Sequence, residues 1–169
     1  FAHIDFDDLN WERKPYQSSP AYGQSKLANL LFTAELQQRL SAAGSGVLAT
    51  AAHPGFVATN IYNPADRRQS SLSKVAVRLL AQDADSGALP VLYAAVGDIP
   101  GNSFAGPRHF AHMRGGPPVL IGRSATAQDA DLARRLWAVS EQLTGIRCPL
   151  EPVPDGSRPG SLLQDGSTK

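Results

Sequence analysis

A charge-free run of small and β-branched residues constrains the fold more than any other stretch of the sequence. It covers residues 47–52 and follows a turn that contains Gly44 and Gly46. Strands without charged side chains are typical of parallel sheets, which are covered on both faces. The segment before the turn has apolar residues at helical spacing over residues 21–40. The sequence therefore predicts a parallel strand and, before it, a long helix that ends near Gly44 and packs on a sheet or on a partner helix.

Tyr22 and Lys26 lie four residues apart at the start of this predicted helix. That spacing puts both side chains on one helix face. A neighbouring positive charge favours an ionised phenol, and a tyrosine needs this property to exchange protons near neutral pH. Most tyrosine–lysine pairs at this spacing are ordinary surface contacts, so the spacing alone leaves both interpretations open.

A Pro-Gly turn follows the predicted strand, with His53, Pro54 and Gly55 in sequence and Thr59 a few residues later. Ligands of open α/β sheets bind at the carboxyl ends of the strands. A Pro-Gly turn lets the main chain approach such a ligand closely. Taken alone, the segment is also typical of an ordinary strand-to-loop turn, and His53 of a structural residue at a strand end.

Helix-start residues, turn residues and, for the last helix, periodic apolar residues predict four further elements after this loop. The last is a helix that ends at Gly145, with Thr126 and Asp129 as a capping box and Leu143 on its buried stripe. The four elements are helices over residues 74–80, 86–96 and 128–144, and a strand over residues 102–105.

The composition predicts one domain and a tail. Residues 147–169 are rich in proline and glycine, so we expect a disordered tail after a domain at residues 1–146. The net charge is +1 without a basic cluster, which argues against nucleic-acid binding. No run approaches the roughly 18 apolar residues of a membrane span. Cys148 is the single cysteine, which fits a reducing compartment, and we expect a cytoplasmic location.

Two groups of residues could suggest a metal site. Asp5, Asp7 and Asp8 cluster near the start of the chain without a histidine or cysteine at suitable spacing. His109 and His112 lie three residues apart without an evident third ligand. Protein metal sites need several ligands of suitable type, so we predict no metal site.

Together, these motifs resemble those of the short-chain dehydrogenase/reductase family. The resemblance rests on Tyr22-x-x-x-Lys26 at the start of a long helix and on Pro54-Gly55-x-Val57-x-Thr59 after the next strand. Residues 5–11, 25–29 and 135–141 resemble the branch of retinol dehydrogenases and protochlorophyllide reductases. The resemblance covers about residues 1–146.

The resemblance implies an NAD(P)-dependent oxidoreductase and favours NADP over NAD. It implies that Tyr22 exchanges a proton with a small-molecule alcohol or carbonyl substrate. Lys26 would assist Tyr22 and bind the nicotinamide ribose, so both residues would also contact the cofactor. The loop residues Pro54, Gly55, Val57 and Thr59 would hold the nicotinamide amide and a nearby phosphate. Whether the protein forms a homo-oligomer is left open.

Several features of the family are missing ahead of Tyr22: the glycine-rich phosphate turn, the residue that selects NAD or NADP, and the catalytic serine. Residues 44–49 match a G-x-G-x-x-A pattern, but they end a helix and open a strand, the reverse of a phosphate-binding turn. We therefore predict the C-terminal part of a doubly wound, Rossmann-like α/β domain with a parallel sheet, its N-terminal nucleotide-binding half absent. The chain alone would be inactive. The alternative is a truncated product that acts as an interaction or regulatory module.

Overall fold

The computed structural model describes residues 2–57, 82–109 and 111–150. The predicted helix over residues 74–80 and the tail beyond residue 150 lie outside the described residues. The elements in chain order are α1 (Ser18–Ala42), β1 (Ala51–Ala52), α2 (Ala84–Val96), β2 (Phe104–Pro107), β3 (Pro118–Leu120), a 3₁₀ helix (Thr126–Gln128) and α3 (Ala130–Thr144).

The three described strands form one mixed sheet with β2 in the middle. β1 pairs parallel with β2, with Ala51 opposite Phe104, whereas β3 pairs antiparallel with β2, with Ala105 opposite Leu120. The α/β class and the parallel pairing of the first strand are confirmed. The prediction of a parallel sheet is wrong for β3. This strand pairs antiparallel because the connection over residues 108–117 is too short for the crossover that a parallel pair requires.

The first strand is shorter than predicted. Pairing covers only Ala51–Ala52, and Val47 and Leu48 are 62% and 53% exposed. The expectation that residues 47–52 are covered on both faces is therefore wrong for the start of this run. Residues 47–50 have no regular secondary structure. The Ala49 amide donates to Oε1 of Gln37 on α1 at 2.7 Å, and the Ala49 carbonyl accepts the Asn102 amide at 2.7 Å. A side chain of α1 and the main chain just ahead of β2 thus hold this segment.

Helix α1 begins three residues earlier than predicted and ends as predicted. Gly44 has a φ of 65°, a left-handed conformation that glycine adopts without strain. The Ser45 amide donates to the Leu40 carbonyl at 2.9 Å and the Gly44 amide to the Ser41 carbonyl at 3.1 Å. This pair of bonds is the Schellman motif, which satisfies carbonyls at the helix end and turns the chain.

The core lies between α1 and α3. Leu27 and Leu31 of α1 belong to one buried cluster with Ala133 and Leu136 of α3. Beside it, the Trp137 ring stacks on Phe32 with the centroids 5.2 Å apart. Trp137 is 6% exposed and therefore belongs to the core.

The ends of α3 correct two predictions. The Leu132 amide donates to Oδ1 of Asp129 at 2.9 Å, so Asp129 itself caps the helix and the capping box headed by Thr126 is wrong. A side-chain oxygen at this position binds an amide that has no partner within the helix. Leu143 is 64% exposed rather than buried, because the described chain has no element that packs over the last turn. Gly145 ends the helix with a φ of 71°, as predicted.

Candidate active site

Tyr22 and Lys26 lie on one face near the start of α1, as their spacing predicts. Nζ of Lys26 is 5.0 Å from the centroid of the Tyr22 ring. An ammonium at this distance from a ring makes a cation–π contact. Tyr22 is 60% exposed, and Lys26 is also exposed. The pair is therefore open to a ligand from the solvent side.

The start of α1 is anchored by the segment that precedes it. Oε1 of Gln24 accepts the Asp5 amide at 3.1 Å, and Nε2 of Gln24 donates to the Leu9 carbonyl at 3.1 Å. These bonds tie the leading segment to the helix turn that carries Tyr22 and Lys26. A site on a helix held in this way keeps its geometry better than a site on a loop.

The acidic residues near the start of the chain support that leading segment. Lys14 forms an ion pair with Asp5, and this hydrogen bond lowers the pKa of the Asp5 carboxyl. Asp8 accepts the amides of Glu12 at 2.7 Å and Arg13 at 3.2 Å. Within residues 2–57, 82–109 and 111–150, no three His, Cys, Asp or Glu side chains are placed to hold a metal ion. In the same ranges, no helix is long and apolar enough to cross a membrane.

The Pro-Gly turn lies at the carboxyl end of β1 and requires glycine. Gly55 has a φ of 74°. A Cβ at Gly55 would lie 2.4 Å from the Met113 carbonyl oxygen and 2.8 Å from Cγ of Pro107. Both distances are shorter than van der Waals contact allows, so any other residue would displace the turn.

Val57 follows this turn with its side chain in the interior. It is 7% exposed and pairs with Gln82 in an isolated parallel bridge. A Cβ at Gly87 of α2 would lie 2.5 Å from Cγ2 of Val57, which shows how closely the helix approaches. Any contact of Val57 with a cofactor would therefore come from its main chain. Thr59 lies outside the described residues.

His53 shapes the same turn. Its Nδ1 accepts the Gly55 amide at 3.1 Å, which requires Nδ1 to carry no proton. Burial lowers the pKa of His53, and the nearby charge of His112 lowers it further. Both effects favour the neutral ring that the hydrogen bond needs, and His53 acts as a structural residue.

Acidification is expected to loosen this turn. Because the pKa of His53 is below its ordinary value of 6.5, the unfolded chain takes up the proton first as the pH falls. The stabilisation by neutral His53 is therefore fully present well above pH 6.5 and is lost as the pH falls from 6.5 through the folded-state pKa. An NMR titration of the His53 ring gives this pKa, and urea unfolding of the wild type and His53→Gln as a function of pH gives its effect on stability.

The matched control is His3→Gln, because His3 is exposed. In His3→Gln the free energy of unfolding should depend on pH as it does in the wild type, whereas in His53→Gln this dependence should be weaker. A His53 ring that titrates at or above 6.5 would contradict the structure.

Sequence reasoning missed three glutamines that hold the site together. Gln24 anchors the start of α1, Gln37 binds the amide of Ala49, and Gln82 bonds to the Pro-Gly turn. A single glutamine forms no motif or periodic pattern, so no signal in the sequence could have singled them out.

Known proteins are similar to this chain over only part of their length. No protein-family model matches the chain. The chain is 37% identical over 164 residues to retinol dehydrogenase 13 of Homo sapiens, covering 90% of this chain and 46% of that protein. It is 34% identical over 142 residues to polyprenol dehydrogenase of Mus musculus, covering 84% of this chain and 40% of that protein.

A solved structure extends this similarity to three dimensions. The chain resembles the crystal structure of an uncharacterized protein from Mycobacterium Paratuberculosis with a TM-score of 0.69 and 47% sequence identity. The match covers 88% of this chain and 47% of that chain.

Fold and relatives together define the class: an α/β protein related to dehydrogenases, matched to the C-terminal part of their sequences. Its homologues, the retinol and polyprenol dehydrogenases, are members of the short-chain dehydrogenase/reductase family. The chain spans about half the length of the curated relatives that it matches. The predicted resemblance and the prediction of a C-terminal portion of such a domain are confirmed.

Proposed function

We propose that the chain supplies the proton-transfer part of a nicotinamide-dependent oxidoreductase that interconverts an alcohol and a carbonyl. The observation that carries the proposal is the exposed Tyr22–Lys26 pair on α1, with Nζ of Lys26 5.0 Å from the Tyr22 ring centroid. The names of the curated relatives, which are dehydrogenases, support the reaction class.

In this proposal, Tyr22 moves the proton and Lys26 provides the charge. Tyr22 accepts the hydroxyl proton of an alcohol during oxidation and donates a proton to the carbonyl oxygen during reduction. The positive charge of Lys26 lies beside the ring, with Nζ 5.0 Å from the ring centroid. A bound NAD(P) would take up or deliver the hydride.

The Pro-Gly turn fits the nicotinamide end of such a cofactor. Pro54 is exposed, so a ligand can approach the turn from the solvent side. The Pro54 carbonyl and the Gly55 and Phe56 amides are already bonded within the protein, so they hold the shape of the turn. Pro54, Gly55, Val57 and Thr59 would hold the nicotinamide, and Lys26 would bind its ribose.

Chain lengths support a shared site for the two groups. The chain reverses at Gly44, and Gln37 of α1 bonds to Ala49 at the start of the returning segment. From Tyr22 to Gln37 the helix rises about 22 Å. From Ala49 to Gly55 an extended chain spans about 20 Å. A fully extended returning chain therefore brings the Pro-Gly turn to within about 2 Å of the level of Tyr22 along the helix.

The resemblance to the family favours NADP as the cofactor. The relatives named for retinol and polyprenol favour an apolar alcohol as the substrate. The alternative proposal is an inactive product that acts as an interaction or regulatory module.

The test joins this chain in register to the first half of the mycobacterial relative, which is 47% identical where the two match. We expect the joined protein to reduce NADP faster than NAD with retinol as the substrate, followed by the absorbance of the reduced nicotinamide. The chain alone should show negligible turnover. The intact mycobacterial protein is the reference for folding and activity. A folded joined protein that neither binds NADP nor turns over would favour the interaction module.

A further inference from the structure

We infer that Gln82 is a positioning residue that holds the Pro-Gly turn in the shape that meets the nicotinamide end of the cofactor. This inference rests on the proposed function. Gln82 lies directly ahead of the cap of α2, distant in sequence from the turn, and is 5% exposed. Its role therefore depends on what its buried amide contacts.

Gln82 bonds to two separate segments at once. Its main-chain amide donates to the Phe56 carbonyl at 2.8 Å. Its side-chain Nε2 donates to the Pro54 carbonyl, and its Oε1 accepts the Gly115 amide at 2.8 Å. One side chain thus joins residues 54 and 115, which lie 28 and 33 positions away from it in sequence.

A further bond closes the turn from the other side. The Phe56 amide donates to the Met113 carbonyl at 2.7 Å. The same carbonyl oxygen would lie 2.4 Å from a Cβ at Gly55. The turn is therefore held between Gln82 and residues 113–115, with no space for a side chain at Gly55.

The chemistry of Gln82 suits this contact because an amide offers both a donor and an acceptor. A buried polar group without its partner is destabilising, so loss of either half would leave the Pro54 carbonyl or the Gly115 amide unsatisfied. Asparagine is shorter by one methylene and cannot span the same gap. An ionised glutamate has no donor for the Pro54 carbonyl.

Gln82 fixes the turn that contains Pro54 and Gly55, which the proposed function assigns to the cofactor. A main chain that is already ordered does not lose conformational entropy when the ligand binds, which increases affinity. Gln82 is buried behind the turn and acts through the Pro54 carbonyl. The result is a turn that is pre-shaped for its ligand.

The test uses Gln82→Glu in the full chain, because protonation restores the missing donor. A protonated carboxyl has one donor and one acceptor, as glutamine has, whereas the carboxylate only accepts. Burial beside a carbonyl favours the protonated form of this glutamate. The variant should therefore be defective at a pH of about 8 and recover at a pH of about 5.

The first measurement is amide hydrogen exchange, expressed as a protection factor relative to the wild type at the same pH. We expect the protection of the Phe56 and Gly115 amides to fall about tenfold at high pH and to recover at low pH. Taking the ratio to the wild type removes the effects of the other titratable or charged groups on the packed segments: His53, His112, Asp83 and Arg114. The control is Gln38→Glu on the exposed side of α1, which should leave both amides unchanged.

The second measurement is the affinity for reduced nicotinamide mononucleotide, followed by NMR. Relative to the wild type at the same pH, we expect the Kd of Gln82→Glu to rise about tenfold at high pH and to return to the wild-type value at low pH, in step with the protection factors. Unchanged protection would overturn the contact between Gln82 and the turn. Lost protection with unchanged affinity would overturn the positioning role. A third outcome is lost protection in the variant together with a wild type that does not bind the mononucleotide. This outcome would show that the contact exists, but it would overturn the proposed function and with it the inference.

Discussion

Tyr22→Phe is expected to lower kcat for nicotinamide-dependent turnover by about 10²–10⁴-fold in the joined protein, the usual contribution of a general acid or base. Phenylalanine keeps the ring over which Lys26 lies but has no hydroxyl to exchange a proton. Cofactor affinity and the free energy of unfolding should therefore stay close to those of the wild type. Because the hydroxyl acts in the transition state, kcat and kcat/KM should fall together.

The matched control is Tyr16→Phe, which removes the same hydroxyl from a neighbouring exposed tyrosine. Tyr16 is 70% exposed, and its ring lies edge-on to Trp11 with the centroids 5.8 Å apart. We expect wild-type kcat from this variant in the retinol and NADP assay. If Tyr22→Phe retains wild-type turnover in a folded protein that binds cofactor, Tyr22 is not the acid or base.

Leu31→Ala is expected to lower the free energy of unfolding by about 2–5 kcal/mol, the range for removing a buried leucine side chain. Leu31 is 0% exposed and lies in the cluster that joins α1 to α3. The substitution removes apolar contacts and leaves a cavity that rigid helices fill only in part. Urea unfolding of the chain, followed by helical circular dichroism, measures the change as a shift in midpoint.

Leu143→Ala is the matched control, because it makes the same substitution within the other helix of the core. Leu143 is 64% exposed, so we expect a change within about 0.5 kcal/mol. Helical periodicity alone assigns both leucines to buried stripes. The comparison therefore tests whether the loss of stability follows the apolar pattern of the sequence or the burial in the structure. An equal loss in the two variants would show that Leu143 is buried in solution.

Features that depend on neighbouring residues could be predicted from the sequence. The spacing of Tyr22 and Lys26 fixes their common helix face, since 3.6 residues make one turn whatever surrounds the helix. Gly44 and Gly145 end their helices because a left-handed residue is least strained as glycine. The Pro-Gly turn and the family resemblance could also be predicted from the sequence, and the relatives confirm the resemblance.

The tertiary structure decided the features that depend on distant partners. Leu143 has the right periodicity for burial and yet is exposed, because burial requires an element on the other side. β3 runs antiparallel because the length of the connection limits how the chain can return to β2. Gln82 reaches residues 54 and 115 through hydrogen bonds that no local pattern encodes. The sequence by itself determined the Tyr22–Lys26 pair and the turns. Only the tertiary structure decided which strands pair, which apolar residues are covered and what holds the Pro-Gly turn, because those contacts join residues far apart in the chain.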